Sequence, residues 1–111
     1  MSIDSPIATK RLKAVWHDGS RHDVILQIGR PYAKGNSFRC PVSASGLQQD
    51  YSPPDLAGCD EMQALTLALG FVRFLLEWHI KEGGQLFYPP PDDNTPYTPN
   101  DLPKDNAATA S

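Results

Sequence analysis

The sequence predicts an α+β fold in which an antiparallel β-meander of three to five strands packs on one long α-helix. Two observations support this prediction. Residues 60–82 place apolar side chains at helical spacing between a capping signal and a glycine pair. Residues 10–45 alternate apolar and polar side chains, as strands do, and contain the hairpin signal Asp18-Gly19.

The long helix is predicted to begin after Asp60 and to end near Glu82. Asp60 is a good N-cap because its carboxylate accepts hydrogen bonds from the free amides of the first turn. Gln63 lies three residues further on and completes a capping box by reaching back to the amide of the cap residue. Gly83-Gly84 then ends the helix, since glycine adopts the left-handed conformation of helix C-termini at low cost.

The apolar arc of this helix is wider than one sheet can cover. At about 100° per residue, apolar side chains occupy roughly two-thirds of the circumference, whereas a helix on one sheet needs a stripe a little over 100° wide. The part of the apolar arc that one sheet would leave uncovered lies around Leu67, Phe74 and Trp78. We therefore expect these three residues to form an interaction surface for a protein partner or a second copy, unless a loop or the C-terminal tail covers them.

The first two strands form a predicted hairpin. A three-residue loop, Asp18 to Ser20, with Gly19 in a left-handed conformation, puts the apolar residues of both strands on one face. A two-residue loop would instead oppose Trp16 with Arg21. The predicted inner face consists of Leu12, Ala14, Trp16, Val24, Leu26 and Ile28, with His22 at its edge.

A third strand is predicted at Ser37–Ser45, where Phe38, Cys40, Val42 and Ala44 alternate with polar residues. Pro41 lacks a ladder donor, so it requires an edge strand, a bulge or an outward-facing amide position. The other segments are predicted to be a loop at 29–36, a weak strand at 47–52, a stiff loop at 53–58 and a short strand at 85–88.

With 111 residues the chain has room for one domain, which we place at residues 10–88. Residues 1–9 are predicted to be a loose N-terminus, and residues 89–111 a disordered acidic tail. Six of these 23 tail residues are proline and few are large and apolar, a composition typical of disorder or polyproline II structure. The segment 96–99 also matches the P-x-x-P pattern of docking segments.

Charge and composition exclude several function classes. The formal net charge is −3, and the tail carries all of it, so residues 1–88 are neutral. Nucleic acid is therefore not an expected partner. The apolar run 64–76 is interrupted by Arg73 and is shorter than the roughly 20 residues of a membrane span. Two cysteines and an N-terminus without an apolar core predict a reducing, cytoplasmic setting.

We find no catalytic, metal-binding or cofactor-binding pattern in the sequence. His17 and His22 point to opposite faces of the predicted hairpin, and His79 lies at the margin of an apolar row, so we read all three as surface or core-edge residues. Cys40 is predicted to be a buried apolar residue. Cys59 precedes the helix cap, where a thiol pKa can fall, and it is the better candidate for a modifiable thiol.

One order of signals resembles a known family. It consists of Cys40-Pro41-Val42, then Gly46-Leu47, then Gly58-x-Asp60-x-x-Gln63-Ala64-Leu65 and a long apolar helix. This order is similar to that of a family of small bacterial domains of unknown function, over roughly residues 10–88. The resemblance implies a compact bacterial protein of strands followed by one helix, and it has no catalytic motif to transfer.

Two functions remain as hypotheses. The first is a non-enzymatic protein-interaction domain, such as an immunity or accessory protein, which uses Leu67, Phe74 and Trp78. The alternative is a small-molecule-binding domain with a pocket between the sheet and the helix. Its predicted lining is Trp16, Phe71 and Trp78, with His22 or Arg39 as the gate.

Overall fold

A computed structural model of the chain describes residues 5–48 and 54–103. Within these residues the chain forms one long helix, seven strands and a short 3₁₀ turn. In chain order they are β1 (Ala8–Val15), β2 (Arg21–Ile28), β3 (Tyr32–Lys34), β4 (Ser37–Cys40), β5 (Val42–Ser45), β6 (Leu56–Gly58), α1 (Glu61–Lys81), β7 (Gln85–Phe87) and the 3₁₀ turn Pro99–Asp101.

The strands form two antiparallel sheets. The larger sheet has four strands in the order β5-β2-β1-β7, and the smaller has three in the order β3-β4-β6. The helix α1 packs against both sheets. The predicted α+β class is therefore confirmed, with the strands divided between two sheets.

The β1–β2 hairpin has the predicted faces but a different register. Gly19 is left-handed, with φ +86°, and the closing pair is Trp16 and Ser20, whose backbone N and O lie 2.8 Å apart. The loop is therefore residues 17–19, because the left-handed residue comes last in a three-residue hairpin loop. The predicted loop began one residue later. Moving the loop by one residue shifts the pairing by two, so Leu12 now opposes Val24 and every side chain keeps its face.

Pro41 marks the point where the chain passes from one sheet to the other. The predicted strand Ser37–Ser45 is thus two strands, β4 in the small sheet and β5 in the large one. Proline suits this position because it has no amide to donate, while its carbonyl accepts the Gly29 amide at 3.0 Å. The prediction of a single strand is wrong. The alternation of apolar and polar residues continues through Pro41, so it does not show that the chain changes sheet there.

Two predicted loops contain short strands. The segment 29–36 contains β3, and the segment 53–58 contains β6; both pair with β4. All three side chains of β3 are exposed, so this strand shows no apolar alternation in the sequence. Of the weak strand predicted at 47–52, Leu47 and Gln48 are in a bend, and the remainder lies outside the described residues.

The helix begins and ends as predicted. Asp60 is the N-cap, and its carboxylate accepts the Gln63 amide at 2.7 Å. The Gln63 side chain reaches back one residue further than predicted and accepts the amide of Cys59. The core lies between the inner face of the large sheet and this helix. Its main members are Leu12, Ala14, Val24, Leu26, Ala64, Ala68, Val72, Leu75 and Leu76.

The described residues on both sides of the predicted domain, 7–9 and 89–103, are more ordered than predicted. At the N-terminus, the Ile7 amide donates to Ile28 and β1 begins at Ala8, so residues 7–9 belong to the sheet. The predicted disordered tail begins at Pro89, yet residues 89–103 are folded, and Tyr97 is buried. Its amide donates to the Leu86 carbonyl at 2.9 Å. We call residues 96–103 the C-terminal strap; residues 104–111 lie outside the described part of the chain.

Candidate functional site

The second half of the helix exposes a row of aromatic rings. Residues three and four apart lie on one face of a helix, and Phe71, Phe74 and Trp78 follow this spacing. The ring centroids are 5.9 Å apart for the first pair and 5.8 Å apart for the second, with tilted planes. Centroid distances in this range are typical of aromatic pairs in contact.

Phe74 and Trp78 line an open groove of about 460 Å³ at the C-terminal end of α1, together with Glu77, Lys81 and Glu82. We call this the aromatic groove. Phe74 is 39% exposed, and Trp78 is half-buried. Of the predicted interaction surface, the structure thus brings Phe74 and Trp78 together. Leu67, also half-buried, lies two helical turns before Phe74 and does not line the groove.

The rim of the groove carries both signs of charge. Arg73 donates through Nε to Glu77 at 3.3 Å and through a terminal nitrogen to the Leu102 carbonyl at 2.6 Å. The side chains of Lys81 and Glu82 form no ion pair with any residue that the structure describes. Their charges are therefore free to meet groups on another molecule.

The strap does not cover the face of α1 that carries Phe74 and Trp78. It packs against another face of the helix. Leu102 lies beside Leu69 and Val72, and Arg73 fixes its carbonyl. The sequence leaves open that the C-terminal tail covers Phe74 and Trp78. The tail does fold back, but its described residues leave the aromatic groove open.

The residues predicted for the alternative pocket make contacts in different parts of the fold. Trp16 and His22 stack with ring centroids 3.8 Å apart, and the Trp16 indole donates to the Gly46 carbonyl at 2.9 Å. Arg39 belongs to β4 in the small sheet, where it contacts Ser37. Phe71 packs beside Phe74 on the helix. In these contacts the residues fall into separate groups, and the alternative pocket stays a prediction.

His79 is the polar residue whose position the sequence reading misjudged. The sequence predicts a surface or core-edge residue here, yet His79 is fully buried. Its Nδ1 lies 3.4 Å from the Gln48 amide and its Nε2 3.2 Å from the Gln85 carbonyl. This pattern fits a neutral ring that accepts at Nδ1 and donates at Nε2. Burial lowers the pKa of His79, which also favours the neutral form.

A signal for this burial exists in the sequence. His79 follows Leu75 by four residues and Val72 by seven, so it lies on the same helical face as these core residues. Gln48 connects His79 to the hairpin. Its side-chain oxygen Oε1 accepts the His17 backbone amide at 2.6 Å, and its backbone amide donates to His79 Nδ1. The buried ring therefore ties the helix to the hairpin loop.

The described residues contain no group of three or more His, Cys, Asp or Glu side chains placed to hold a metal ion. Cys40 is buried, and burial raises the pKa of its thiol to about 11, which makes it a poor nucleophile at neutral pH. Cys59 is exposed, and its modification stays a prediction. In the described part of the chain, no helix has the length and apolar character of a membrane span.

A family model for a domain of unknown function, DUF6968, matches residues 8–96. The chain belongs to this family. The match confirms the resemblance to a family of domains of unknown function and extends it at both ends. A search of the curated proteins found no match, and neither did a search of the solved structures. The DUF6968 region includes both sheets, the helix and the aromatic groove, and it ends at the start of the strap.

Proposed function

We propose that this DUF6968 chain is a non-enzymatic protein-binding domain that holds a partner protein in the aromatic groove. The observation that carries the proposal is the position of Phe74 and Trp78. Both rings lie on the face of α1 that the described sheets and strap leave open, and Phe74 keeps 39% of its surface in water. Covering such apolar surface is favourable by about 25 cal/mol per Å².

The chemistry of the groove indicates the kind of surface that it binds. Tryptophan is enriched among the residues that contribute most to protein interfaces, usually within a polar rim. Here the floor is aromatic, and the rim bears Glu77, Lys81 and Glu82. We infer that the partner packs an apolar side chain against Phe74 and Trp78 and offers a basic residue to Glu82. The same proposal includes a bacterial, cytoplasmic setting and an accessory role, such as that of an immunity protein.

The test compares two single substitutions on the same helix. Phe74→Ser removes the exposed ring of the groove. Met62→Ser is the matched control, because Met62 is 80% exposed at the other end of α1. Each tagged protein is expressed in its own source organism, recovered gently, and weighed intact by native mass spectrometry.

The proposal predicts one stoichiometric partner with the wild type and with Met62→Ser, and loss of that partner with Phe74→Ser. A complex of two identical chains that Phe74→Ser dissociates would assign the groove to self-association and overturn the proposal of a different protein. A partner that survives Phe74→Ser, or a bare monomer in all three samples, would also overturn it.

A further inference from the structure

A second cavity, separate from the aromatic groove, lies between the large sheet and α1 beneath the strap. It has a volume of about 120 Å³, and Leu26, Ile28, Leu69, Val72 and Leu102 form most of its wall. The cavity is about half open to solvent, on the side of Ala8 and Thr9. For comparison, an enclosed apolar cavity of about 150 Å³ accepts small apolar molecules such as benzene. The dimensions and the lining therefore fit a ligand of about four to six carbon atoms.

Lys10 gives this apolar cavity a single cationic wall residue. Its ammonium lies 3.2 Å from Asp101 Oδ2 and 4.8 Å from the centre of the Tyr97 ring. Asp101 immediately precedes Leu102, whose side chain borders the cavity. The strap thus presents a carboxylate to Lys10 and an aliphatic chain to the cavity, side by side, as a small aliphatic carboxylate would.

We propose that this cavity is a binding site for a short-chain aliphatic carboxylate, and that Asp101 of the strap competes with the ligand's carboxylate for Lys10. The ligand's chain fills the space beside Leu69 and Val72, and its carboxylate takes the position of Asp101 next to Lys10. Occupation displaces only the end of the strap, because the Tyr97 amide stays bonded to the Leu86 carbonyl. The Tyr97 hydroxyl, which donates to Asp101, then donates to the ligand's carboxylate.

The contacts that hold the end of the strap are of a kind that a ligand can replace. The Lys10 and Asp101 side chains are 31% and 56% exposed, and ion pairs in contact with water are weak. The remaining ties are the hydrogen bond from the Tyr97 hydroxyl to Asp101, which the ligand's carboxylate can accept in place of Asp101, and the bond from Arg73 to the Leu102 carbonyl, which does not involve the cavity wall. Exchanging one carboxylate for another at Lys10 therefore requires little rearrangement.

The experiment titrates the full chain with pentanoate and follows the backbone amide signals of β1 and α1 by NMR. Two compounds separate the two parts of the site: 1-pentanol has the chain without the charge, and acetate has the charge with almost no chain. Lys10→Met is the test variant. Lys13→Met is its control, because Lys13 lies on the opposite face of β1 and pairs with Asp23.

We expect saturable binding of pentanoate, with shifts centred on Leu26, Leu69 and Val72, and binding of the other two compounds at least about tenfold weaker. Lys10→Met abolishes the preference for pentanoate over 1-pentanol, whereas Lys13→Met keeps it. Asp101→Asn removes the competing carboxylate and tightens pentanoate binding by about fivefold. Phe74→Ser has no effect, so this site is tested independently of the aromatic groove.

Several results would overturn the proposal. They are absence of saturable binding in both the wild type and Asp101→Asn, equal affinity for pentanoate and 1-pentanol, and a preference that persists in Lys10→Met. If Lys10→Met fails to fold, Val72→Phe fills the cavity and serves in its place. Loss of pentanoate binding in Val72→Phe then supports the site, and unchanged binding rejects it.

Discussion

Gly84 lies directly against the imidazole of His79. A Cβ built on Gly84 would be 2.3 Å from His79 Nε2 and 2.6 Å from both adjacent ring carbons. The Gly84 amide in turn donates to the His79 carbonyl at 3.0 Å. The end of the helix and the start of β7 are therefore fitted around a buried ring, and this position needs a residue without a side chain.

Gly84→Ala should lower the free energy of unfolding by about 2 kcal/mol or more, because the added methyl group collides with a ring that has no space to move. Chemical denaturation of the purified variant measures this loss. The control is a double-mutant cycle with His79→Ala, in which the cost of Gly84→Ala should shrink because the colliding ring is absent. An equal cost in both backgrounds would show that the contact with His79 is not the cause.

The buried His79 should make stability depend on pH. Burial lowers its folded-state pKa below the ordinary value of 6.5, so the unfolded chain takes up the proton first as the pH falls. This contribution to stability is complete above about pH 6.5 and decreases below it, until the folded-state pKa is reached. The slope is at most about 1.4 kcal/mol per pH unit.

Urea denaturation of the wild type at a series of pH values measures this slope, and His79→Gln should flatten it. His17→Gln is the control, because His17 is an exposed histidine in the same network. A positive charge on nearby His22 also disfavours protonation of His79, so His22→Gln should reduce the slope without removing it. A slope that survives His79→Gln would assign the pH dependence to other groups.

Asp60→Ala should destabilise the domain by about 1 kcal/mol, because the Gln63 amide loses the carboxylate that it donates to at 2.7 Å. Thermal denaturation measures the change in stability, and Glu61→Ala is the variant used for comparison. Glu61 is an acidic residue of the same turn without a capping bond, so its loss should cost a few tenths of a kcal/mol. Similar losses for both variants would indicate a general charge effect and not a cap.

Tyr97→Ala tests whether the strap belongs to the folded domain. The Tyr97 ring is buried, and its hydroxyl donates to Asp101, so truncation should cost about 3 kcal/mol. Tyr88→Ala is the matched control, because Tyr88 contacts the same ring edge-on but is an exposed residue; it should cost clearly less. A Tyr97→Ala protein as stable as the wild type would mean that the strap contributes nothing to folding.

Local signals were enough to predict the helix and the faces of the hairpin. Asp60, Gln63 and the glycine pair mark the helix ends through contacts within a few residues. The alternation around Gly19 sets the faces of β1 and β2, even though the loop lies one residue earlier than predicted. Such features depend on neighbours in the sequence, and a shift of two residues in register leaves the faces unchanged.

Other features of the candidate site could be identified only from the tertiary structure. The open position of Phe74 and Trp78 followed from the width of the apolar arc, but the groove and its charged rim depend on where the strap lies. The contacts of Arg39 and Phe71 also required the fold, because these residues belong to elements whose placement relative to Trp16 is not encoded by spacing. The actual cavity beneath Leu102 involves a segment that its composition marked as disordered.

The sequence alone therefore determined the secondary structure that short-range hydrogen bonds and side-chain periodicity define: the capped helix, the hairpin and the short strand after the helix. The tertiary structure decided the change of sheet at Pro41, the burial of His79 and the return of the strap. These depend on contacts between residues far apart in the chain, such as Gln48 with His79 and Lys10 with Asp101. Their free energy comes from packing and desolvation, which exist only once the distant segments have met.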